Sequence, residues 1–407
     1  MAKLAVKGGP KACRVKWPAW PIWGPPERRA LLGVLESGKW WHGKNVLAFE
    51  RAFAAFQGAR HGVTCNSGTA GLEAALGGLG VGPGDEVIVP AFTFIATASA
   101  VVRCGAKVVF ADVRADNLCL DPDDVERKLG PRTRAIIPVH FCGNIADMDR
   151  LNAITRRKRL LIIEDACHAW GSRWRSKGAG ALGTCGAFSF QISKNMTAGE
   201  GGIVLADDAK VAEKVFAFTH CGRRAGAAWY MHYTPATNSR MTEWQAAILL
   251  QQLKRLGAQT RRRQANARIL DRGLGRLPGI LPQVTDPRVT RRAYHMYCFR
   301  LDLDVLGIDR ASFLSALSAE GVPCMPAYGI TIDENPLFTG RDGGAGISAR
   351  GASCPEAQRA AKNTCWINHQ NLLAPAAAMH RIVYAAEKVV ANLHELRRPG
   401  SRSRQSR

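Results

Sequence analysis

The chain of 407 residues is 46% hydrophobic and 22% charged, a globular composition that excludes wholesale disorder, collagen-like repeats and a small disulfide-stapled scaffold. Its 56 basic and 33 acidic side chains give a formal net charge of +23, an excess that could attract nucleic acid or an anionic small molecule such as a phosphate ester. At roughly 150 residues per domain the length predicts two domains, one large and one small.

Residues 1–16 carry charge without the apolar run of roughly 7–15 residues that marks a signal peptide. The longest weakly polar stretch, residues 91–102, falls short of the roughly 20 residues needed to span a bilayer, so a cytoplasmic protein with no membrane partner is expected. Twelve cysteines never form a CxxC pair, which predicts reduced, mostly buried thiols and no metal site. Residues 1–32 read as an N-terminal arm.

From residue 60 to about 205 short β-branched runs alternate with helical patterns, the signature of an α/β fold with a mostly parallel sheet covered by helices. A helix is predicted over 67–80, where Leu72, Ala75, Leu76 and Leu79 recur at helical spacing behind a Ser-Gly-Thr turn. Strands are predicted over 86–89, 107–111, 135–139, 160–164, 187–190 and 202–205, with a helix over 93–104. A long helix follows over 241–275, and after Pro282 the pattern turns to strands and short helices, including 294–303 and 310–320. This divides the chain into a large domain over 33–260 and a small C-terminal α+β domain over 261–396. Residues 397–407 hold five arginines and no acid, a tail expected to be disordered; without it the net charge is +18. A second basic cluster, Lys254, Arg255, Arg261, Arg262, Arg263 and Arg268, lies in the long helix, where a solvated face is the default. No recognition motif accompanies the charge, so nucleic acid is not expected as a partner.

Ligands of open parallel sheets sit beyond the carboxyl ends of the strands, so the polar residues that follow each strand are the ones to weigh. Cys65-Asn66-Ser67-Gly68-Thr69-Ala70 turns into a helix, a start that can cradle a phosphate or simply cap the helix. Ile162-Ile163-Glu164-Asp165-Ala166-Cys167-His168 closes an apolar strand with two acids, costly unless paired; one could hold a protonated ring nitrogen, or cap a helix. In Phe188-Ser189-Phe190-Gln191-Ile192-Ser193-Lys194, a lysine stands just past a strand and ahead of a Gly-rich bend. That placement suits a Schiff base with an aldehyde cofactor, desolvation lowering the amine pKa from roughly 10.4. Asn238-Ser239-Arg240-Met241-Thr242-Glu243 opens the long helix, with capping as the plain reading.

Together these segments resemble the DegT/DnrJ/StrS family of pyridoxal-phosphate aminotransferases. Seven motifs stand in the family's order: SGTAGLEAAL, GPGDEVIVPAFTFIAT, IIPVHFCG, IIEDACHA, FSFQISKNMTAGEGG, NSRMTEWQAA and EGVPC. The resemblance implies a fold type I transferase, aspartate aminotransferase-like, working as a homodimer with shared active sites and pyridoxal 5'-phosphate as cofactor. It implies that Lys194 carries the cofactor aldehyde, Asp165 pairs with the pyridinium nitrogen, and Phe92 stacks on the ring. Phosphate would be held by Thr69, Ala70 and Ser189, with Asn238 reaching in from the partner subunit, and His168 would stand near the cofactor oxygen. Departures are Gln191, where the family often has His, and Ser239, where it usually has an aromatic. The opening Trp17-Pro18-Ala19-Trp20-Pro21 and Lys39-Trp40-Trp41 look like the branch of glutamine:scyllo-inosose aminotransferases and 3-amino-5-hydroxybenzoate synthases. The implied reaction moves an amino group from glutamine or glutamate to a keto-cyclitol or keto-sugar. Alternatives are 3-amino-5-hydroxybenzoate synthesis, a nucleotide-sugar acceptor, or a regulator without turnover.

Overall fold

The computed structural model describes residues 2–351 and 353–396; the tail expected over 397–407 lies outside them. Helices α1 (Pro25–Ser37) and α2 (Lys44–Gln57) lead into β1 (His61–Cys65), α3 (Gly68–Gly78), β2 (Glu86–Pro90), α4 (Ala96–Arg103) and β3 (Lys107–Ala111). Next come α5 (Pro122–Lys128), β4 (Thr133–Ile136), α6 (Met148–Lys158), β5 (Leu161–Asp165) and the two-residue strands β6 (Arg173–Trp174) and β7 (Lys177–Gly178). Strands β8 (Cys185–Ser189) and β9 (Gly202–Ala206), then α7 (Ala209–Thr219) and the 32-residue α8 (Glu243–Leu274), complete the larger part. The remainder is β10 (Ile280–Pro282), β11 (Val289–Arg291), β12 (Met296–Leu301), α9 (Leu303–Leu306), α10 (Arg310–Ala319), β13 (Cys324–Pro326), α11 (Pro336–Thr339), α12 (Pro355–Asn363), β14 (Thr364–Asn368) and α13 (Ala376–Ala391).

Seven strands form the central sheet in the order β1-β9-β8-β5-β4-β2-β3. Only β9 runs against the rest, pairing antiparallel with both β1 and β8, so the α/β sheet is mostly parallel. Strands β2, β8 and β9 are buried along their whole length, which is why they read as continuous apolar runs rather than alternating ones. Because β1, β2, β5 and β8 share one direction, the turns after all four emerge at the same edge. A second, antiparallel sheet has the order β10-β12-β14-β13.

Two apolar cores divide the molecule. The larger lies on the central sheet; the smaller gathers α10, α13, β12 and the end of α8. Helix α8 belongs to both, giving Ala246, Leu249 and Leu256 to the first and Ala267, Leu270 and Leu274 to the second. A division at 260/261 therefore falls inside one continuous helix. The N-terminal arm is built in as well, since Leu4 and Cys13 are buried in the smaller core. No helix among the described residues is long and apolar enough to cross a membrane.

Candidate active site

A cavity of about 440 Å³ opens at the carboxyl edge of the sheet, and most of its wall follows the strand ends. The turn after β1 contributes Ser67, Gly68 and Thr69, that after β2 Thr93 and Phe94, the end of β5 Asp165, Cys167 and His168, and the end of β8 Ser189 and Lys194. The later part of the chain closes it with His295, Tyr328 and Trp366.

Ser67 caps α3 by accepting the Ala70 amide at 3.1 Å, which leaves the Gly68 and Thr69 amides without an acceptor among the described residues. Those amides sit at the positive end of the α3 dipole. Glycine is required beside them: a Cβ on Gly68 would come within 2.7 Å of Ser189 Cβ and 2.9 Å of Cys167 Sγ, and one on Gly202 within 2.3 Å of the Ser67 oxygen. The Ser189 hydroxyl accepts the Gln191 amide at 3.3 Å, so its own proton is free to donate.

Asp165 is buried at the end of β5. Its Oδ2 accepts the Thr97 hydroxyl at 2.8 Å and its Oδ1 the Cys167 amide at 3.2 Å. The preceding residue, Glu164, works differently. Its carboxylate points to the opposite face and accepts His140 Nε2 and the amides of Gly180, Leu182 and Gly183, all at 2.6–2.8 Å. Of the two adjacent acids one binds the protein together and the other faces the cavity, as strand alternation dictates.

Lys194 follows a turn in which its amide donates to the Gln191 carbonyl, and its Nζ lies 5.8 Å from the centre of the Trp170 ring. The side chain lines the cavity, and desolvation lowers its pKa, with Cys167 and Asp165 opposing that shift. His168 and His295 lie with ring centroids 4.5 Å apart and planes tilted by 38°, both held well below the ordinary imidazole pKa by burial first and by Lys194 as well. Cys142 donates its amide to His168 Nδ1 at 3.4 Å, placing the imidazole proton on Nε2. An amine with a depressed pKa, a carboxylate and unspent amide donors around one cavity make a site for proton transfer on an anionic ligand.

The residues singled out in the sequence do not all meet here. Lys194, Asp165, Thr69, Ser189 and His168 line the cavity or face it. Ala70 is behind it, its amide already spent on Ser67. Phe92 does not line it: the ring is 1% exposed and packs against Phe141 and Tyr328 at 5.3 and 5.7 Å, while Phe94 stands in the wall. Asn238 lies exposed outside the cavity, bridged to His220. Sequence reasoning missed Thr97, Phe94, His295, Tyr328 and Trp366. Phe94 is the one with a usable signal, an aromatic two residues past the first.

A sequence profile described as the DegT/DnrJ/EryC1/StrS aminotransferase family matches residues 23–386. The chain is 40% identical to an L-glutamine:2-deoxy-scyllo-inosose aminotransferase of Micromonospora echinospora, over 98% of this chain and 100% of that protein. It is 38% identical to a 3-amino-5-hydroxybenzoate synthase of Amycolatopsis mediterranei, over 90% of this chain and 95% of the relative. A crystal structure of 3-amino-5-hydroxybenzoic acid synthase superposes with a TM-score of 0.85 at 37% identity, covering 93% of this chain and 99% of the other.

Proposed function

The chain belongs to the DegT/DnrJ/EryC1/StrS aminotransferase family, and from that premise we propose that it moves the amino group of glutamine onto a six-membered keto-cyclitol, with pyridoxal phosphate held in the cavity at the sheet edge. One observation carries the reading: a desolvated lysine, a buried carboxylate and a helix start with unspent amides converge on a single cavity. The residues fit the cofactor: the start of α3 offers unspent amides at Gly68 and Thr69, in a cradle that a Cβ at Gly68 would fill, and Asp165 and Lys194 face the same cavity.

Bound there, the cofactor would supply an aldehyde to carry the amino group and a ring to draw electron density from the substrate carbon. The Gly68 and Thr69 amides and the Thr69 and Ser189 hydroxyls would hold its phosphate. Asp165, fixed by Thr97 and the Cys167 amide, would keep a proton on the ring nitrogen. His168 would offer its Nε2 proton to the ring oxygen, and Phe94 takes over from Phe92 as the aromatic for the ring face. Lys194, an amine more easily left neutral than an ordinary lysine, takes the proton from the donor carbon and returns it one position away. On the acceptor half-reaction it runs the same transfer in reverse.

A homodimer completes this proposal. Trp23, Trp40, Trp41, Phe94, Trp229 and Tyr230 are each at least half exposed, an apolar load that a second copy would cover while bringing in its Asn238. Sedimentation of the full chain as a monomer at micromolar concentration would sink that part. Twelve free cysteines suit a reducing, cytoplasmic setting.

The test is an absorbance spectrum of the purified chain and of Lys194→Ala, with L-glutamine, L-glutamate and L-alanine added in turn, then a panel of keto-cyclitols and nucleotide keto-sugars. A visible cofactor band that needs Lys194, falls with glutamine and returns with a keto-cyclitol is the expected result. Return only with a nucleotide sugar would move the acceptor, and a chain that takes up no cofactor would overturn the proposal. The likeness to 3-amino-5-hydroxybenzoate synthases supports a second reading, in which the same site releases an aromatic amine. Ultraviolet absorbance of such a product separates the two.

A further inference from the structure

Lys194 is carried by the large sheet, yet the residues around it are held from elsewhere. On one side, Asn195 donates its Nδ2 to the Ala293 carbonyl at 3.0 Å; its Oδ1 therefore accepts from His295 Nδ1 at 3.2 Å. On the other, the Ser193 carbonyl accepts from His369 Nε2 at 2.9 Å. His369 is in turn gripped by Arg263 from α8, whose Nε donates to the His369 carbonyl at 3.2 Å and whose Nη2 donates to His369 Nδ1 at 3.1 Å.

The chemistry of these groups fixes the direction of the chain of bonds. A guanidinium only donates, so His369 Nδ1 must be the acceptor and its proton must sit on Nε2, pointing at Ser193. Burial and Arg263 both hold His369 well below the ordinary imidazole pKa, which keeps this single neutral tautomer. Arg263 itself is fully buried, has no carboxylate partner among the described residues and leaves Nη1 unbonded. Burying an unpaired guanidinium is expensive, and a core helix position could be filled by any apolar side chain. The N-terminal arm closes over the same place: Trp20 meets the His369 ring edge-on at 4.5 Å, and its Nε1 donates to the Ile192 carbonyl at 2.8 Å.

We propose that Arg263 and His369 are positioning residues for Lys194, acting through the Ser193 carbonyl, and that Trp20 of the N-terminal arm seals this relay from solvent. The proposal rests on the reading that Lys194 carries the amino transfer. A guanidinium, an imidazole and a carbonyl in series leave the Gln191–Lys194 turn one orientation, and the lysine is aimed by that turn. A reacting group displaced by about 1 Å loses rate on the order of a hundredfold while substrate binding is little changed.

The test compares His369→Ala, His369→Gln, Arg263→Met and Trp20→Phe with the parent chain, all loaded with cofactor. Glutamine at position 369 offers an amide hydrogen to Ser193 and a carbonyl to Arg263; alanine offers neither. Three quantities are measured: donor half-reaction kcat against KM, first-order release of cofactor on dialysis, and thermal midpoint. His369→Ala and Arg263→Met are expected to lower kcat between tenfold and a hundredfold, keep donor KM within about twofold, and speed cofactor release about tenfold. His369→Gln should recover kcat and release to within about threefold, and Trp20→Phe, which loses only the Nε1 donor, should speed release severalfold at an unchanged midpoint. If His369→Ala does not fold, the last two variants still decide. A His369→Gln chain that loses kcat as deeply as a full truncation, a defect confined to KM, or a Trp20→Phe chain indistinguishable from the parent overturns the proposal. A parent chain that binds no cofactor fails the reading of the function instead.

Discussion

Thr97 is fully buried and spends its hydroxyl on Asp165, so Thr97→Val removes a bond from the carboxylate while keeping the side chain's shape. A hydrogen bond to a charged group contributes about 1.5–3 kcal/mol. We expect Thr97→Val to lower kcat about tenfold and the urea midpoint modestly, and Thr97→Ser to restore most of both; steady-state rates of the three chains would show otherwise if valine were neutral. The sequence does not advertise Thr97, because it reaches Asp165 across 68 positions from within an apolar helix. Lys194 and Asp165 were legible for the opposite reason: Asp165 ends a buried strand and Lys194 stands a few residues past another, where a polar side chain has few other uses. Phe92 and Phe94 show the limit of counting. Strand β2 ends at Pro90 and the next residues bend, so the alternation that would assign one ring to the cavity is lost before either is reached.

Helix ends were legible to within a few residues, as at α3, where Ser67 is the cap; for α8 the expected cap, Asn238, stands outside the helix, and Thr242 with Gln245 makes the capping box instead. The reversal of β9 was not. A strand buried on both faces carries no direction in its composition, and the turn-over happens in the Gly199–Gly202 bend. Nor were β6, β7 and β11, too short to show a period. One tie between elements depends on a single acid. Glu243, at the first turn of α8, accepts the amides of Gly43, Asn45 and Val46 and the Asn45 Nδ2 at 2.8–3.1 Å, capping the start of α2 from another helix. Glutamine has one acceptor oxygen in place of two and brings donors among donors. Glu243→Gln is therefore expected to cost about 2 kcal/mol, read as a lower urea midpoint at unchanged slope. An unshifted midpoint would mean that α2 is held by its apolar face alone.

For the whole molecule the buried imidazoles set the response to acid. Burial holds His168, His295 and His369 well below 6.5, and pushes His220 down to about 3. In the unfolded chain each takes up a proton as the pH falls through about 6.5, whereas in the folded chain it does not. Their contribution is thus complete above 6.5 and is lost as the pH falls toward the folded pKa values. Between pH 6.5 and 5.5 each costs about 1 kcal/mol and the four together about 4, a large share of an ordinary folding free energy of roughly 5–15 kcal/mol. Carboxyls raised by burial, such as Glu50 and Asp271, act in the opposite direction, but from ordinary carboxylate values near 4, so they come into play lower in the pH range. Thermal melts of the full chain from pH 7.5 to 5.5 should therefore show a midpoint that falls steeply below 6.5, and His220→Gln should make that fall shallower. A midpoint flat across this window would mean that the imidazoles are solvated and protonated in the folded chain. The neutral, single-tautomer His369 on which the Lys194 relay depends would then be lost with them.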